Sequence, residues 1–469
     1  MSVPYFPKRI SNKGIVLYLA SLFLVSVLFV RYIIPWYFMM IGLAEITLFF
    51  LSTNKYSKEW QRLLSPKVFE KKVFWTALLL RMVWVTFLYF FYAQQTGQPF
   101  EYGAADSLGY HEEARWLSGL NWQDEMNYLF YRRSGYSDSG YPFYLTLLYR
   151  IIGPNIFLVR VIKAVISAFM CVLLYRMTTR NLGDNVGRMA AVFCAFMPNL
   201  YVYCGLHLKE TEMLFLTIAF LERADYALRS PKVKFWDVMF PFLLCISLFF
   251  FRTALGAVAA LSFFTALVFS SSRVTSKSRR WRVALWAIVA VVVMGGSAIV
   301  NEVETLIQNS DTNQTMRRYE QTSRGNLWAK YATGTVMAPM VFVLPFTTMV
   351  DTGQYNQLVI HGGNFVRNFM GVFVLIGLFS ALFTKKNWRD LSLIGSFTIG
   401  YLFVISLSGF ANSERFLLPG LPGLLIMAAY GISELNQRNF KWVTIWYIVV
   451  VMMQLGWAYF KLGSRGWIG

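Results

Sequence analysis

The chain has 469 residues, 56% of them hydrophobic and only 14% charged, with a mean hydropathy of +0.46. That balance excludes a soluble globular domain and defines an all-α polytopic membrane protein. The formal charge of +20 sits in short basic clusters between apolar runs, the pattern of cytoplasmic loops, so no nucleic-acid partner is expected.

The N-terminal MSVPYFPKRISNKG lacks a small-residue cleavage site, and the helix after it is expected to be retained. A crossing needs about 20 apolar residues. About thirteen segments qualify: 15–30, 32–51, 73–93, 155–179, 188–206, 209–228, 235–251, 254–270, 283–300, 365–383, 391–408, 415–433 and 442–460. With the N-terminus inside, more than half of the 44 basic residues fall in short cytoplasmic loops. Two apolar stretches do not fit as crossings. PFYLTLLYRII (142–152) is too short to span, and VMAPMVFVLPFTTMV (336–350), with two prolines, reads as re-entrant or interfacial. Cys171, Cys194, Cys204 and Cys245 lie in apolar segments without metal-like spacing and read as packing residues.

This organisation gives two N-terminal helices and a basic loop (1–72), a transmembrane module with a first long external loop at 94–141 (73–300), a second long loop (301–364) and C-terminal helices (365–469). The two long loops are expected to fold as a small cap on the external face.

The first loop carries YGAADSLGYHEEARW, Tyr102 to Trp116, with Asp106, His111, Glu112 and Glu113 just beyond the third crossing. Taken alone, Asp106 reads equally as part of a solvated loop. Lys209 and Glu210 open LHLKETEMLFLTIAFL, where the alternative is a charged helix start favourable to the helix dipole. Arg252 interrupts LCISLFFFRTALGAVAAL, where the alternative is a snorkelling arginine. Arg415 and Arg367 head two later helices, and MRRYEQTSRGNLWAK adds Arg317 and Arg318. One carboxylate-rich loop thus faces several cations at similar depth. That arrangement suits a phosphate-bearing, membrane-embedded substrate, because arginine binds phosphate bidentately and charged groups at membrane depth are costly unless used.

In this order, from Asp106 through SGYPFYLTLLYRIIG and FLVRVIKAVISAFMCVLLYRMTTRNLGDNVGRMAAVFCAFMP to an acidic helix start and SERFLLPGLPGLLIMAAYGI, the chain resembles the C-type (GT-C) glycosyltransferases. The branch it is similar to contains bacterial protein O-mannosyltransferases and the aminoarabinose transferase of lipid A. The resemblance spans roughly residues 73–433. It implies a GT-C-like helical bundle in a bacterial inner membrane, a sugar or glycan donor on polyprenyl phosphate or pyrophosphate, and a periplasmic acceptor on protein, lipid or polysaccharide. It implies Asp106 as general base, Glu210 as a second acidic residue, and Arg252, Lys209 and Arg415 as phosphate contacts. In some members the two acidic positions help hold a divalent metal ion; here Ser107 follows Asp106 where an Asp-Glu pair is usual, which leaves metal dependence open.

The chemistry is coherent. Displacing a lipid phosphate from the anomeric carbon builds negative charge that preorganised cations stabilise, while a carboxylate takes the acceptor proton, so inversion is expected. Partial burial of Asp106 against Tyr110 or Trp116 is expected to make it a stronger base, and His111 is the alternative base. The competing readings are an O-antigen polymerase or ligase, an en bloc oligosaccharyltransferase, with Arg317 and Arg318 on pyrophosphate, and, in another class, a transporter or lipid flippase. No matched pair of broken helices of the transporter kind is visible in the two halves.

Overall fold

The computed structural model describes residues 4–62, 65–129, 138–230, 232, 234–293, 340–407 and 413–468, and every regular element among them is helical. The first group is α1 (Lys8–Leu28), α2 (Trp36–Trp60), α3 (Pro66–Thr96), α4 (Ala105–Ser118), α5 (Trp122–Asn127) and α6 (Gly140–Ile152). It is followed by α7 (Ile156–Leu182), α8 (Asp184–Phe196), α9 (Pro198–Cys204), α10 (Glu210–Arg229), α11 (Phe235–Phe251), α12 (Thr253–Phe269) and α13 (Lys277–Val293). The last group is α14 (Tyr355–Val359), α15 (His361–Phe379), α16 (Ser392–Leu407), α17 (Glu414–Leu417), α18 (Leu421–Ser433) and α19 (Gln437–Gly463).

Seven stretches are long and apolar enough to cross a membrane: α1, α2, α3, α7, α15 extended to Thr384, Glu414–Ser433 and Asn439–Gly463. Helices α11, α12 and α16 are apolar but shorter. The expected crossing at 188–206 is instead two helices, α8 and α9. Pro198 has no N–H to continue the ladder, and Met197 before it is extended (φ −65°, ψ 117°), so the helix stops and restarts. Helix α1 ends at Leu28, and Pro35 is the residue from which α2 starts. Helix α6, at 13 residues about 20 Å long, is indeed shorter than a span and lies against α4.

Helices α15 and α18 cross in close contact. A Cβ placed on Gly431 would collide with the Phe373 carbonyl, and one on Gly377 with the Met427 carbonyl. Glycine lets the two backbones touch, which in a membrane supplies the packing that water-driven association cannot. Gly431→Ala is therefore expected to force the helices apart and lower stability by about 1–3 kcal/mol, measured as a fall in melting temperature in detergent. A neutral substitution would show that this crossing is not tight.

Of the stretch expected to re-enter, residues 340–350 are described; they hold no α-helix, and Val343–Val350 are buried. Irregular backbone without water needs side-chain partners. Asn368 on α15 supplies them: its Nδ2 donates to the Val343 carbonyl at 2.7 Å and the Pro345 carbonyl at 3.0 Å, while its Oδ1 accepts from the Thr347 N–H and hydroxyl at 3.1 and 2.9 Å. The indole of Trp446 on α19 donates to the Asn368 carbonyl at 2.9 Å, tying the last helix to the same post.

The segments expected as a cap meet at one point. The Asn356 amide donates to the Tyr102 carbonyl at 2.7 Å and accepts from the Tyr102 N–H at 3.1 Å, within an aromatic cluster of Tyr92, Tyr102, Tyr355 and Phe38. This clamp fixes the start of the chain segment that carries Asp106.

Candidate active site

Helix α3 ends at Gly97, whose positive φ (77°) closes the helix, and Gly103 (φ 60°) turns the chain into α4. Ser107 then donates to Glu101 across this turn, setting Asp106 in the first turn of α4. Helix α6 is the shelf on which α4 rests. Arg150 donates to the Leu117 and Leu120 carbonyls and pairs with Glu125 at 2.6 Å. His111 Nδ1 lies 2.7 Å from the Tyr149 hydroxyl, which in turn lies 3.2 Å from His207 Nε2. Burial and the Arg115 charge one turn on lower the pKa of His111, with Glu112 opposing, so the ring is neutral near pH 7. His111 thus anchors α4 to α6 and stands outside the cluster around Asp106.

The other acidic residue is placed from below. Lys163 on α7 donates to the Leu206 carbonyl at 2.8 Å and to the Leu208 carbonyl, closing the turn between α9 and α10. That turn delivers Lys209 and Glu210 to the N-terminus of α10. Lys209 pairs with Asp138 and donates to the Phe251 carbonyl at 3.1 Å. The Phe251 contact brings Arg252, the residue between α11 and α12, beside it.

The centre of the site is Arg415, on the short helix α17. Its Nη1 donates to Asp106 and its Nε to Glu210, joining residues 309 and 205 positions apart. The Asp106 side chain is 57% exposed, whereas that of Glu210 is fully buried. Trp116 is itself exposed and packs on Tyr128, and Tyr110 leaves Asp106 open to solvent, so the expected burial of Asp106 gives way to an ion pair. Tyr110 stands within the field of Asp138, Glu210 and Asp106; burial first, then these charges, raise its pKa, and the phenol stays protonated. Next to Arg415, Phe416 offers its ring to the Arg252 guanidinium, 4.4 Å from the centroid. Arg252 Nη1 donates to the Tyr401 hydroxyl at 3.2 Å, and that hydroxyl donates to the Phe416 carbonyl at 2.9 Å. Arg252 has no carboxylate within ion-pair distance among the described residues.

Arg367 is not part of this surface. It is buried behind α17, where Glu414 is the nearest acidic charge and its own three guanidinium nitrogens find no hydrogen-bond partner among the described residues. Glu414 accepts from Asn199 at 2.5 Å and Asn364 at 3.2 Å, so this polar knot joins α9, α15 and α17. Arg317 and Arg318 lie outside the described residues.

Asp106 and Glu210 do not fit a divalent ion as arranged. They converge on a guanidinium rather than on a third oxygen or nitrogen donor, and no group of three or more metal-ligating side chains occurs among the described residues.

An apolar cavity of about 230 Å³ lies between α15, α16, α18 and Val341–Phe342. Ile394, Thr398, Leu402 and Ser406 mark its course along one face of α16. Its outer wall includes Ile399 and Phe403, 61% and 60% exposed on the apolar outer surface.

Several members of the site were not singled out from sequence. Asp138 was one acid among many in a long loop. Tyr401 and Phe416 look like ordinary apolar-helix aromatics. Glu414 had a signal, a second charge beside Arg415 at the start of an apolar run, as did Lys163 inside FLVRVIKAVI.

The fold and the site define a multi-pass α-helical membrane protein with a charged cluster at one end of its bundle. No protein-family model matches the chain, and no curated protein matches it. Among solved structures it is similar to ArnT from Cupriavidus metallidurans bound to undecaprenyl phosphate, at 15% identity and a TM-score of 0.44, over 73% of this chain and 58% of that one. The apo crystal structure of the same protein gives 14% identity, a TM-score of 0.44, and coverage of 72% and 57%. The chain thus matches less than two thirds of the length of these structures.

Proposed function

We propose that the protein is a membrane glycosyltransferase that moves a sugar or glycan from a polyprenyl-linked phosphate donor to a hydroxyl on the periplasmic face of a bacterial inner membrane. The observation that carries this reading is the position of Arg252. Its guanidinium has no carboxylate partner among the described residues and stacks on Phe416, the residue after Arg415 of the Asp106–Arg415–Glu210 cluster, while α16, which supplies its Tyr401 contact, also lines an apolar cavity. A lipid whose tail is apolar and whose head is a phosphate meets both requirements at once. Undecaprenyl phosphate, held by the ArnT structure, is such a lipid.

In this reading the acceptor oxygen attacks the anomeric carbon while the bond from that carbon to the phosphate oxygen breaks. The lipid phosphate leaves with the electron pair, stabilised by Arg252, and the acceptor proton passes to Asp106. Attack from the face opposite the phosphate inverts the anomeric centre. Glu210, buried against Arg415, holds the guanidinium in place.

Filling the cavity with Thr398→Trp is expected to weaken binding of undecaprenyl phosphate about tenfold, or about 1.4 kcal/mol, read by native mass spectrometry. The decisive experiment is genetic: deleting the gene and comparing the masses of surface glycoproteins, lipopolysaccharide and capsule. Loss of one sugar or glycan from a single class is expected; identical glycans in all three would remove the proposal.

A further inference from the structure

We propose that Arg415 is a two-pronged positioning residue whose Nη1 prong occupies Asp106 at rest and passes to the lipid phosphate when the donor arrives, so that donor binding itself frees the base. This rests on the glycosyl-transfer reading above. The two prongs differ in their surroundings. Nε is held by Glu210, which is fully buried and has no other cation as ion-pair partner among the described residues. Nη1 is held by Asp106, which is largely exposed and reachable from the aqueous face. A competing anion can displace the exposed contact while the buried one stays as the pivot, because solvent screens the exposed pair whereas breaking the enclosed one would leave a buried charge uncompensated.

The anion has a landing place beside it. Phe416 follows Arg415 on α17 and lies under Arg252, so a phosphate on Arg252 arrives next to the Arg415 guanidinium. Two arginines together neutralise a phosphate more completely than one. The functional consequence is an order of events. Without donor, Asp106 is engaged and does not activate an acceptor or water; with donor, the carboxylate is left unpaired to take the acceptor proton. No bond is made or broken in this exchange; one hydrogen bond moves from carboxylate to phosphate.

Carboxylate labelling tests this on the full-length protein in nanodiscs of zwitterionic lipid. A water-soluble carbodiimide and an amine are applied with and without undecaprenyl phosphate, and the Asp106 peptide is quantified by mass spectrometry against exposed Glu112. Asp106 labelling is expected to rise several-fold with the lipid while Glu112 stays constant, and to be high without lipid in Arg415→Gln. Native mass spectrometry of the same samples reports lipid binding. Binding with unchanged or reduced Asp106 labelling would overturn the exchange and leave the glycosyl-transfer reading standing. Failure of the lipid to bind would sink both. The wild-type comparison alone decides the matter if Arg415→Gln does not fold.

Discussion

Asp106→Asn is expected to reduce glycosyl transfer by about 10²- to 10⁴-fold, the usual contribution of a positioned general base. The substitution keeps the shape of the side chain and its place in the first turn of α4, but removes the negative charge and the basicity needed to take the acceptor proton. Folding is expected to survive. Asp106 is exposed, and Arg415 keeps its buried contact with Glu210 when the Asp106 contact goes, so no buried charge is left without a partner. Lipid-phosphate binding is expected to persist as well, since Arg252 and the apolar cavity are untouched. The measurement is turnover with a lipid-linked donor, alongside the melting temperature and lipid binding of the same variant. Glu112→Gln, on the exposed side of the same helix, serves as the control expected to retain activity. Wild-type turnover in Asp106→Asn would dismiss it as the base.

Much of the fold was legible because membrane helices announce themselves by length and apolar content. The stretches at 73–93 and 442–460 fall inside described helices, 155–179 lies in α7 but for its first residue, and 365–383 lies in the span His361–Thr384. The misses have local causes. Pro198 breaks a run that is apolar throughout, so that α8 ends at Phe196, and a sum of hydropathy does not register one missing N–H. The site was legible by residue type more than by geometry. Asp106, Glu210, Lys209, Arg252 and Arg415 do gather at one end of the bundle, because each marks a polar interruption where a helix starts or stops. Their pairing was hidden. Sequence shows that carboxylates face cations, but not that Arg415 would take both acids while Asp138 took Lys209, leaving Arg252 as the open cation. Those choices depend on which helix ends meet, and Arg415 reaches Asp106 across 309 positions. Arg367 shows the opposite failure: a cation placed at the same depth by sequence is turned inward by the packing of α15 against α18 and ends beside Glu414.

Arg252→Ala is expected to weaken binding of a polyprenyl phosphate about 10- to 150-fold, the range that follows from losing one charge-assisted contact of about 1.5–3 kcal/mol. The loss should appear chiefly in KM for the donor, with a further fall in kcat because the same cation stabilises the charge on the leaving phosphate. Two comparisons separate charge from shape. Arg252→Lys keeps the charge but gives up the planar stack on Phe416 and the second N–H toward an oxyanion, so it should fall between wild type and alanine. Tyr401→Phe removes the acceptor of the Arg252 Nη1 hydrogen bond without touching the charge, and its effect should be smaller than that of either arginine substitution. Because Arg252 keeps some exposure, raising the ionic strength should weaken lipid-phosphate binding in the wild type more than in Arg252→Ala. Equal salt dependence in the two proteins, with equal affinity, would show that the phosphate is held elsewhere, and the cavity along α16 would lose its assigned occupant. If instead affinity falls and salt dependence flattens together, the head of the lipid is located at the one guanidinium in the cluster that no described carboxylate engages.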